Sequence, residues 1–320
     1  MNPAKLLIAK VCTHIFEFII VLIGITFLTF SIMYISPKNP AELWLIGSDG
    51  NVGIISQEAI IEQEIIMGLD KPFIIQYGNW LIKAIQGDLG ISLTTKKPVI
   101  DELKNHMMPT IIMTFVTLAI TVVLSIPLGI LCAVYKDGFF DNIMRIFSFI
   151  GISIPSFVSS LLFLWFFCIK LKLMPVIAQE GIKGLVLPIA VLVVQCSSKM
   201  IRQVRAIVLE ELGQPYVDGG IIRGVNYRTL LFSHVLKNSA VPILTCISIY
   251  VGILLGGSTV IENIFSIKGL GKLAVNSVDR LDYYMIQGLV LWCTLVYLLV
   301  NLAVDVLAVV IDPRVKYNNN

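Results

Sequence analysis

The stretch YVDGGIIRGVNYRTLLFSHVLKNSAVP, residues 216–242, decides how the chain is read. It carries Asp218, Arg223, Arg228, His234 and Lys237 together with Gly219, Gly220 and Gly224, and apolar runs flank it on both sides. Residues 216–220 read as the end of one helix. Gly224 permits a sharp turn through backbone angles closed to larger residues. YRTLLFSHVLKN (227–238) reads as a second helix, with Leu230, Leu231, Val235 and Leu236 in an apolar stripe at three-to-four spacing. Pro242 ends or kinks that helix where the next apolar run begins. Two readings fit. One is a lever that inserts into a partner's groove and passes motion to the spans on either side. The other is a positively charged loop that happens to be helical.

Outward from this segment the chain is apolar. Of 320 residues, 57% are hydrophobic and 14% charged, with mean hydropathy +0.87. A soluble domain carries about 25% charged residues, so the main solvent here is lipid. The net charge of +3 gives no reason to expect a nucleic-acid partner. Cys12, Cys132, Cys168, Cys196, Cys246 and Cys293 are scattered, without CxxC or zinc-type spacing, and read as small buried apolar residues. His14, His106 and His234 are far apart. No metal site and no cofactor are expected. Lys5 and Lys10 precede an apolar run with no small-residue cleavage signal, so the first span is expected to be retained.

A crossing helix needs roughly 20 apolar residues. Six segments come close: 11–35, 109–135, 146–169, 185–208, 239–261 and 285–311. The expected fold is an all-α integral membrane protein of six spans. The fourth span is short in apolar residues and continues into Gln195, Ser197, Ser198, Lys199, Arg202 and Arg205, a helix expected to protrude into the cytoplasm. Pro127, Pro155 and Pro188 fall within spans and point to packed, kinked helices. All arginines but Arg280 fall on one side of this layout, which places both termini in the cytoplasm. The long segment 36–108 then lies outside. QEAIIEQEIIMGLD spaces Ile61, Ile65, Ile66 and Leu69 along one helical face, and KPFIIQYGNWLIKAIQGDLG does the same with Phe73, Tyr77, Trp80, Leu81 and Ala84. These two amphipathic helices are either a lid on the span ends or a docking surface for an outside partner.

Three kinds of membrane protein compete. No HExxH, GxSxG or intramembrane aspartate pair supports an enzyme; Glu17 and Asp305 lie near span ends, where side chains reach the interface. Ion coupling requires ionisable groups deep in the bilayer, and the span centres are nearly free of them. The third is a transport subunit driven from elsewhere. IKGLGKL (267–273) lacks the first glycine of a phosphate-binding loop and has Leu273 where Ser or Thr would hold magnesium. ATP-driven transport would therefore need a separate ATPase.

Tyr216, Val217, Arg223, Gly224, HVLKN (234–238) and Pro242 resemble the cytoplasmic coupling loop of binding-protein-dependent ABC importer permeases. The likeness is closest to the dipeptide/oligopeptide/nickel branch, whose glycine-to-proline interval Gly224 and Pro242 keep. GLDKPFIIQYGNWL (68–81), GDLGISLTTKKPV (87–99), GGSTVIENIFSIKGLGKLAV (256–275) and DPRVK (312–316) agree with that branch in the same order. One departure is 218–222, where Asp218, Gly219, Gly220, Ile221 and Ile222 replace a basic, alanine-rich run. Glycine costs about 1 kcal/mol per helical position relative to alanine, so the first loop helix is expected to be shorter or frayed.

The resemblance implies a type I ABC importer permease-like fold. It partitions the chain into a tail and first span (1–35), an extracytoplasmic helical insertion (36–108), a five-span core (109–311) with the coupling loop at about 209–240, and a cytoplasmic tail (312–320). Its coupling residues would be Tyr216, Val217, Gly220, Ile221, Ile222, Arg223, Gly224, Val225, Arg228, His234, Asn238 and Pro242. Implied partners are a second homologous permease subunit, two cytoplasmic ATPases, an extracytoplasmic solute-binding protein and the lipid bilayer. The chain itself would do no chemistry. Gly129, Gly151, Ser153, Gly252, Gly256 and Gly257 would let spans pack closely and slide. Glu262, Asn263 and Phe265 would gate the outer mouth or meet the binding protein. IQYGNWLIKA, LEELGQ and the succession IENIF, LAVNSV, DYYMIQ look closer to nickel permeases, which favours nickel or a nickel chelate as solute, with short peptides as the alternative.

Overall fold

The computed structural model describes residues 3–36, 38–46, 56–175 and 181–311. The DPRVK motif, the 312–320 tail and residues 47–55 of the insertion lie outside the described residues. So do the surroundings of Lys5, Lys10, Cys12, His14 and Gly257. Among the described residues the chain is helical, apart from one isolated antiparallel bridge between Ile91 and Pro98.

In chain order the helices are α1 (Pro3–Ile35), α2 (Pro40–Ile46), α3 (Gln57–Met67), α4 (Phe73–Ile85), α5 (Val99–Val134), α6 (Phe139–Ser153), α7 (Ser156–Phe163), α8 (Val186–Leu212), α9 (Pro215–Ile222), α10 (Tyr227–Leu230), α11 (Leu236–Ile264), α12 (Leu270–Asp279) and α13 (Tyr283–Ile311). Five stretches are long and apolar enough to cross a bilayer: Phe16–Ile35, Val99–Val134, Lys183–Leu212, Tyr227–Ile264 and Tyr283–Ala308. A sixth exists if α6 and α7 count together.

That sixth stretch, expected at 146–169 with Pro155 as a kink, is bent sharply. α6 and α7, the latter continuing as a π-helix over Leu164–Lys170, meet at 101°. The cause is Pro155. A proline forces the preceding residue out of the helical region, and Ile154 is extended at φ −87°, ψ 120°. Gln195 on α8 donates to the freed Ile154 carbonyl at 3.4 Å and to Ser159 Oγ at 3.3 Å.

Two boundaries also moved. α5 begins at Val99, ten residues before the expected start, with Asp101 and Glu102 in its first turn, where carboxylates favour the helix dipole. Of the two expected outcomes at Pro242, an end to the second loop helix is not seen: α10, a π-turn at Leu231–Val235 and α11 follow one another without a break, with Pro242 inside α11.

The chain folds as two compact units. The first comprises Met1–Met108 with Lys268–Leu298. Its core gathers Tyr77, Trp80, Leu89, Val99, Leu103, Leu270, Met285 and Leu289. A Cβ at Gly288 would lie 2.6 Å from Val99 Cγ1, so this glycine sets how near α5's start packs to α13. Asp282, buried, caps α13 by accepting from Met285 N at 3.3 Å. The same carboxylate accepts from Leu93 N at 3.1 Å, Thr94 N at 3.2 Å and the Ser92 hydroxyl. One side chain thus fastens the GDLGISLTTKKPV loop.

The second unit comprises Pro109–Ile267 with Leu299–Asn320. Val191, Met200, Val204, Val208, Val235 and Leu254 lie at its centre. Small residues set its spacing: a Cβ at Gly151 would lie 2.0 Å from Ser198 Oγ, and one at Gly129 2.7 Å from Val204 Cβ. At Gly256 the space is open, so close packing does not require a glycine there. Thr110, Thr114, Thr117, Thr121 and Ser125 follow one face of α5 and are all buried.

Candidate functional site

Residues 209–242 form a helical elbow. α8 ends at Leu212, Gln214 is extended, and Pro215 occupies the first helical position of α9, where its missing N–H costs nothing. α9 closes with Arg223 as its last near-helical residue and Gly224 at φ +76°. Gly224 N donates to Ile221 O at 2.9 Å, and Val225 N donates to Gly220 O at 3.0 Å. This paired closure with a left-handed residue is a Schellman turn. Asn226 then caps α10, its side chain accepting from Arg228 N at 3.0 Å.

α9 runs through Gly219 and Gly220 to Ile222, eight residues in all. Gly220 has a packing reason: a Cβ there would lie 2.4 Å from Leu230 Cδ1, and Leu230 is itself buried. Val217, Leu230, Leu231 and Val235 face inward, as the apolar stripe predicts. Tyr216, Ile221, Ile222, Val225, Tyr227 and Phe232 are exposed, Ile222 at 85%. Arg223, Arg228 and His234 are exposed with them. The elbow therefore buries one apolar face and presents another at its tip, ringed by basic groups.

The two arms are tied by a polar knot. Glu211 Oε1, at the end of α8, accepts from the Tyr216 hydroxyl at 2.7 Å and from Asn238 Nδ2 at 2.8 Å. Asn238 Nδ2 also lies 3.4 Å from the Tyr216 hydroxyl. Burial, together with the hydrogen bond to Glu211, pushes the Tyr216 hydroxyl up to about 12. Tyr216 and Asn238 were singled out in the sequence as separate motif residues, and the structure joins them through Glu211. In the sequence Glu211 stood out only as part of LEELGQ, with nothing to tie it to Tyr216 or Asn238.

A second polar contact was not legible at all. Asp141, at the start of α6 and wholly buried, accepts from Arg205 Nε at 2.6 Å and Arg205 Nη2 at 2.7 Å. It also accepts from Asp137 N at 3.0 Å. This two-pronged pair locks α6 to α8 upstream of the elbow.

The proposed outer residues lie elsewhere in the same unit. Glu262 is 0% exposed, and its Oε1 accepts from Thr110 Oγ1 at 2.7 Å and Ser258 Oγ at 3.2 Å. Phe265 is buried in the hydrophobic core. Asn263 is half-buried and donates to Thr259 O at 2.9 Å. They do not form a surface cluster, and 262–265 is far in sequence from the elbow at 209–242.

Membrane-length helices, one of them a bent pair, with a helical elbow between two others, fit a membrane-embedded transport subunit. The chain belongs to the family described as binding-protein-dependent transport system inner membrane component. That family's model matches residues 125–317, and the model of the corresponding N-terminal component matches residues 5–115. Relatives include the glutathione transport system permease protein GsiC of Escherichia coli (strain K12), 31% identical over 293 residues, covering 92% of this chain and 94% of that protein. The GsiC of Salmonella choleraesuis (strain SC-B67) is 31% identical over 296 residues, covering 92% and 95%. In fold the chain is similar to a subunit of the MetNI methionine ABC transporter solved in inward-facing conformations, with TM-score 0.53, 18% identity, and coverage of 66% of this chain and 96% of that one. The chain is thus a permease component of a bacterial ABC importer, with the type I fold, and ATP is hydrolysed on separate subunits.

Proposed function

We propose that this subunit passes small peptides or peptide-like solutes across the cytoplasmic membrane. We further propose that ATPase movement enters it through the elbow at 209–242. In this reading both termini and the elbow are cytoplasmic, segment 36–108 is extracytoplasmic, and a second homologous permease completes the pathway. Two ATPases bind from the cytoplasm, and a solute-binding protein delivers cargo from outside.

The observation that carries the coupling reading is the elbow's tip. Ile221, Ile222 and Val225 are exposed on a turn closed by two backbone hydrogen bonds, beside Arg223 and Arg228. Exposed aliphatic side chains on a rigid turn, outside the apolar spans, fit a groove on a soluble partner. The continuity of α10 with α11 supports transmission, because no loop separates the second arm of the elbow from the span.

Peptide cargo is supported by the relatives, which are named for glutathione, itself a small peptide. They favour the alternative of the sequence reading over nickel. Glu262 and Phe265 are best read as internal fastenings of the end of α11 to α5, with Asn263 alone partly at the surface. The cargo is tested with the assembled transporter in liposomes, by ATP-dependent uptake of radiolabelled glutathione, dipeptides and nickel. Uptake of a peptide and none of nickel supports the assignment; nickel uptake alone overturns it.

A further inference from the structure

We propose that α4 is embedded in lipid, with Ile74, Ile75, Ile82 and Ile85 seated among acyl chains at one face of the bilayer. The proposal rests on the membrane-subunit reading above, and in particular on α1 as a span.

At 100° per residue α4 divides into three arcs. Phe73, Tyr77 and Trp80 form an inner arc; Tyr77 and Trp80 are buried. Ile74, Ile75, Gly78, Ile82 and Ile85 form a second, and all four isoleucines are exposed, Ile85 at 79%. Asn79 and Lys83 form a third, polar and exposed. A surface helix in water keeps its exposed side polar. α4 instead exposes more aliphatic than polar surface.

The inner arc fixes how deep the helix sits. The Tyr77 hydroxyl donates to Ile23 O at 3.2 Å and lies 2.9 Å from Thr26 Oγ1. The Phe73 ring lies 5.0 Å from Tyr34 and 5.5 Å from both Phe27 and Phe30. All these partners belong to the apolar stretch Phe16–Ile35. Thr26 is nine residues before Ile35, which at 1.5 Å per residue is about 13 Å into that stretch. Ile23 and Phe27, which touch α4, are themselves exposed. The isoleucine arc therefore continues the apolar surface of a membrane span, at a depth that a water-soluble partner does not reach. Thirteen residues make a helix of about 20 Å, too short to cross a core of about 30 Å. A short amphipathic helix with an apolar face settles in the boundary between headgroups and acyl chains, with Lys83 extending its ammonium toward water.

The test is depth measurement by spin labelling of the assembled transporter in liposomes, after the native cysteines are replaced by alanine and uptake is confirmed. Nitroxides are placed at Ile74→Cys, Ile82→Cys and Ile85→Cys, at Asn79→Cys and Lys83→Cys, and at Leu28→Cys and Ile32→Cys on α1. Each is read as collision with oxygen, which partitions into lipid, against collision with a neutral water-soluble nickel chelate. The expected result is an oxygen-to-chelate ratio on the isoleucine arc equal to that on α1 and several-fold above that at 79 and 83. Chelate access at 74, 82 and 85 equal to that at 79 and 83 overturns the proposal. So does shielding of 74 and 82 from both reagents, which places a protein there, either the second permease or the binding protein. Chelate access at Leu28 and Ile32 as well overturns the membrane reading of α1, and with it the proposal.

Discussion

The elbow turns on Gly224, and its energetic contribution can be worked from the backbone alone. At φ +76° the residue is in the left-handed region, and nothing lies within 4 Å of an added Cβ. A substitution there meets no neighbour, so its cost is backbone strain. For an L-residue that strain is about 1–2 kcal/mol, which lowers the ratio of closed turn to opened loop about 5–30-fold. Asparagine tolerates this region better than other residues and a β-branched side chain tolerates it worst. ATP-dependent uptake by the assembled transporter should therefore fall in the order Gly, Gly224→Asn, Gly224→Ala, Gly224→Val. All four should insert equally in the membrane, measured by immunoblot of membrane fractions. Equal uptake by Gly and Gly224→Val, or Gly224→Asn no better than Gly224→Val, would refute the reasoning, because within this chain only backbone strain separates these variants.

Other consequences are as direct. Asp141→Ala leaves the half-buried Arg205 guanidinium without its two-pronged partner, a loss of about 3–5 kcal/mol, seen as a lowered melting temperature of the purified complex. The double variant Asp141→Leu with Arg205→Met should recover much of it. Gly151→Ala puts a methyl group within 2.0 Å of Ser198 Oγ and should destabilise by about 1–3 kcal/mol, with Ser198→Gly as the suppressor. The raised Tyr216 hydroxyl donates to Glu211 in its neutral form, so the stability it contributes is fully present below pH 10 and lost as pH rises toward about 12. Thermal melts of Tyr216→Phe and the parent should differ by a constant amount from pH 6 to 9. Thr110→Val removes the hydroxyl that Glu262 accepts and should cost about 1–3 kcal/mol by the same assay, while leaving capture of the binding protein unchanged.

Much of the fold was legible because lipid imposes a length rule and helices obey it. The apolar runs located every crossing stretch, and three of them, Phe16–Ile35, Lys183–Leu212 and Tyr283–Ala308, within five residues at each end. The runs cannot show where a helix breaks, however, since Pro155 and Pro242 look alike in sequence. Pro155 breaks its helix because Ile154 adopts the extended backbone and Gln195 takes the freed carbonyl. Pro242 stays inside α11, downstream of a π-turn. The elbow was legible as well, through Gly224 and the Leu230–Leu231–Val235 stripe, both of which express local rules. What escaped were contacts across sequence: Glu211 with Tyr216 and Asn238, Asp141 with Arg205, Asp282 with residues 92–94. Each joins residues on different helices or loops, and no periodicity announces it. The packing role of Gly220 escaped for the same reason. Propensity counted its helical cost, while its close neighbour Leu230 is ten residues on. The burial of Glu262 and Phe265 escaped too, because it depends on Thr110 and on core residues far away in sequence.

The central claim is that force from a separate ATPase enters through the exposed tip of α9. It is tested most directly by installing a photo-crosslinking phenylalanine analogue at Ile222 in the assembled transporter and irradiating with and without ATP. The account predicts one adduct, between this subunit and the ATPase, and loss of uptake once it forms. Adducts with lipid alone in every nucleotide state, or full uptake by the crosslinked complex, would contradict it.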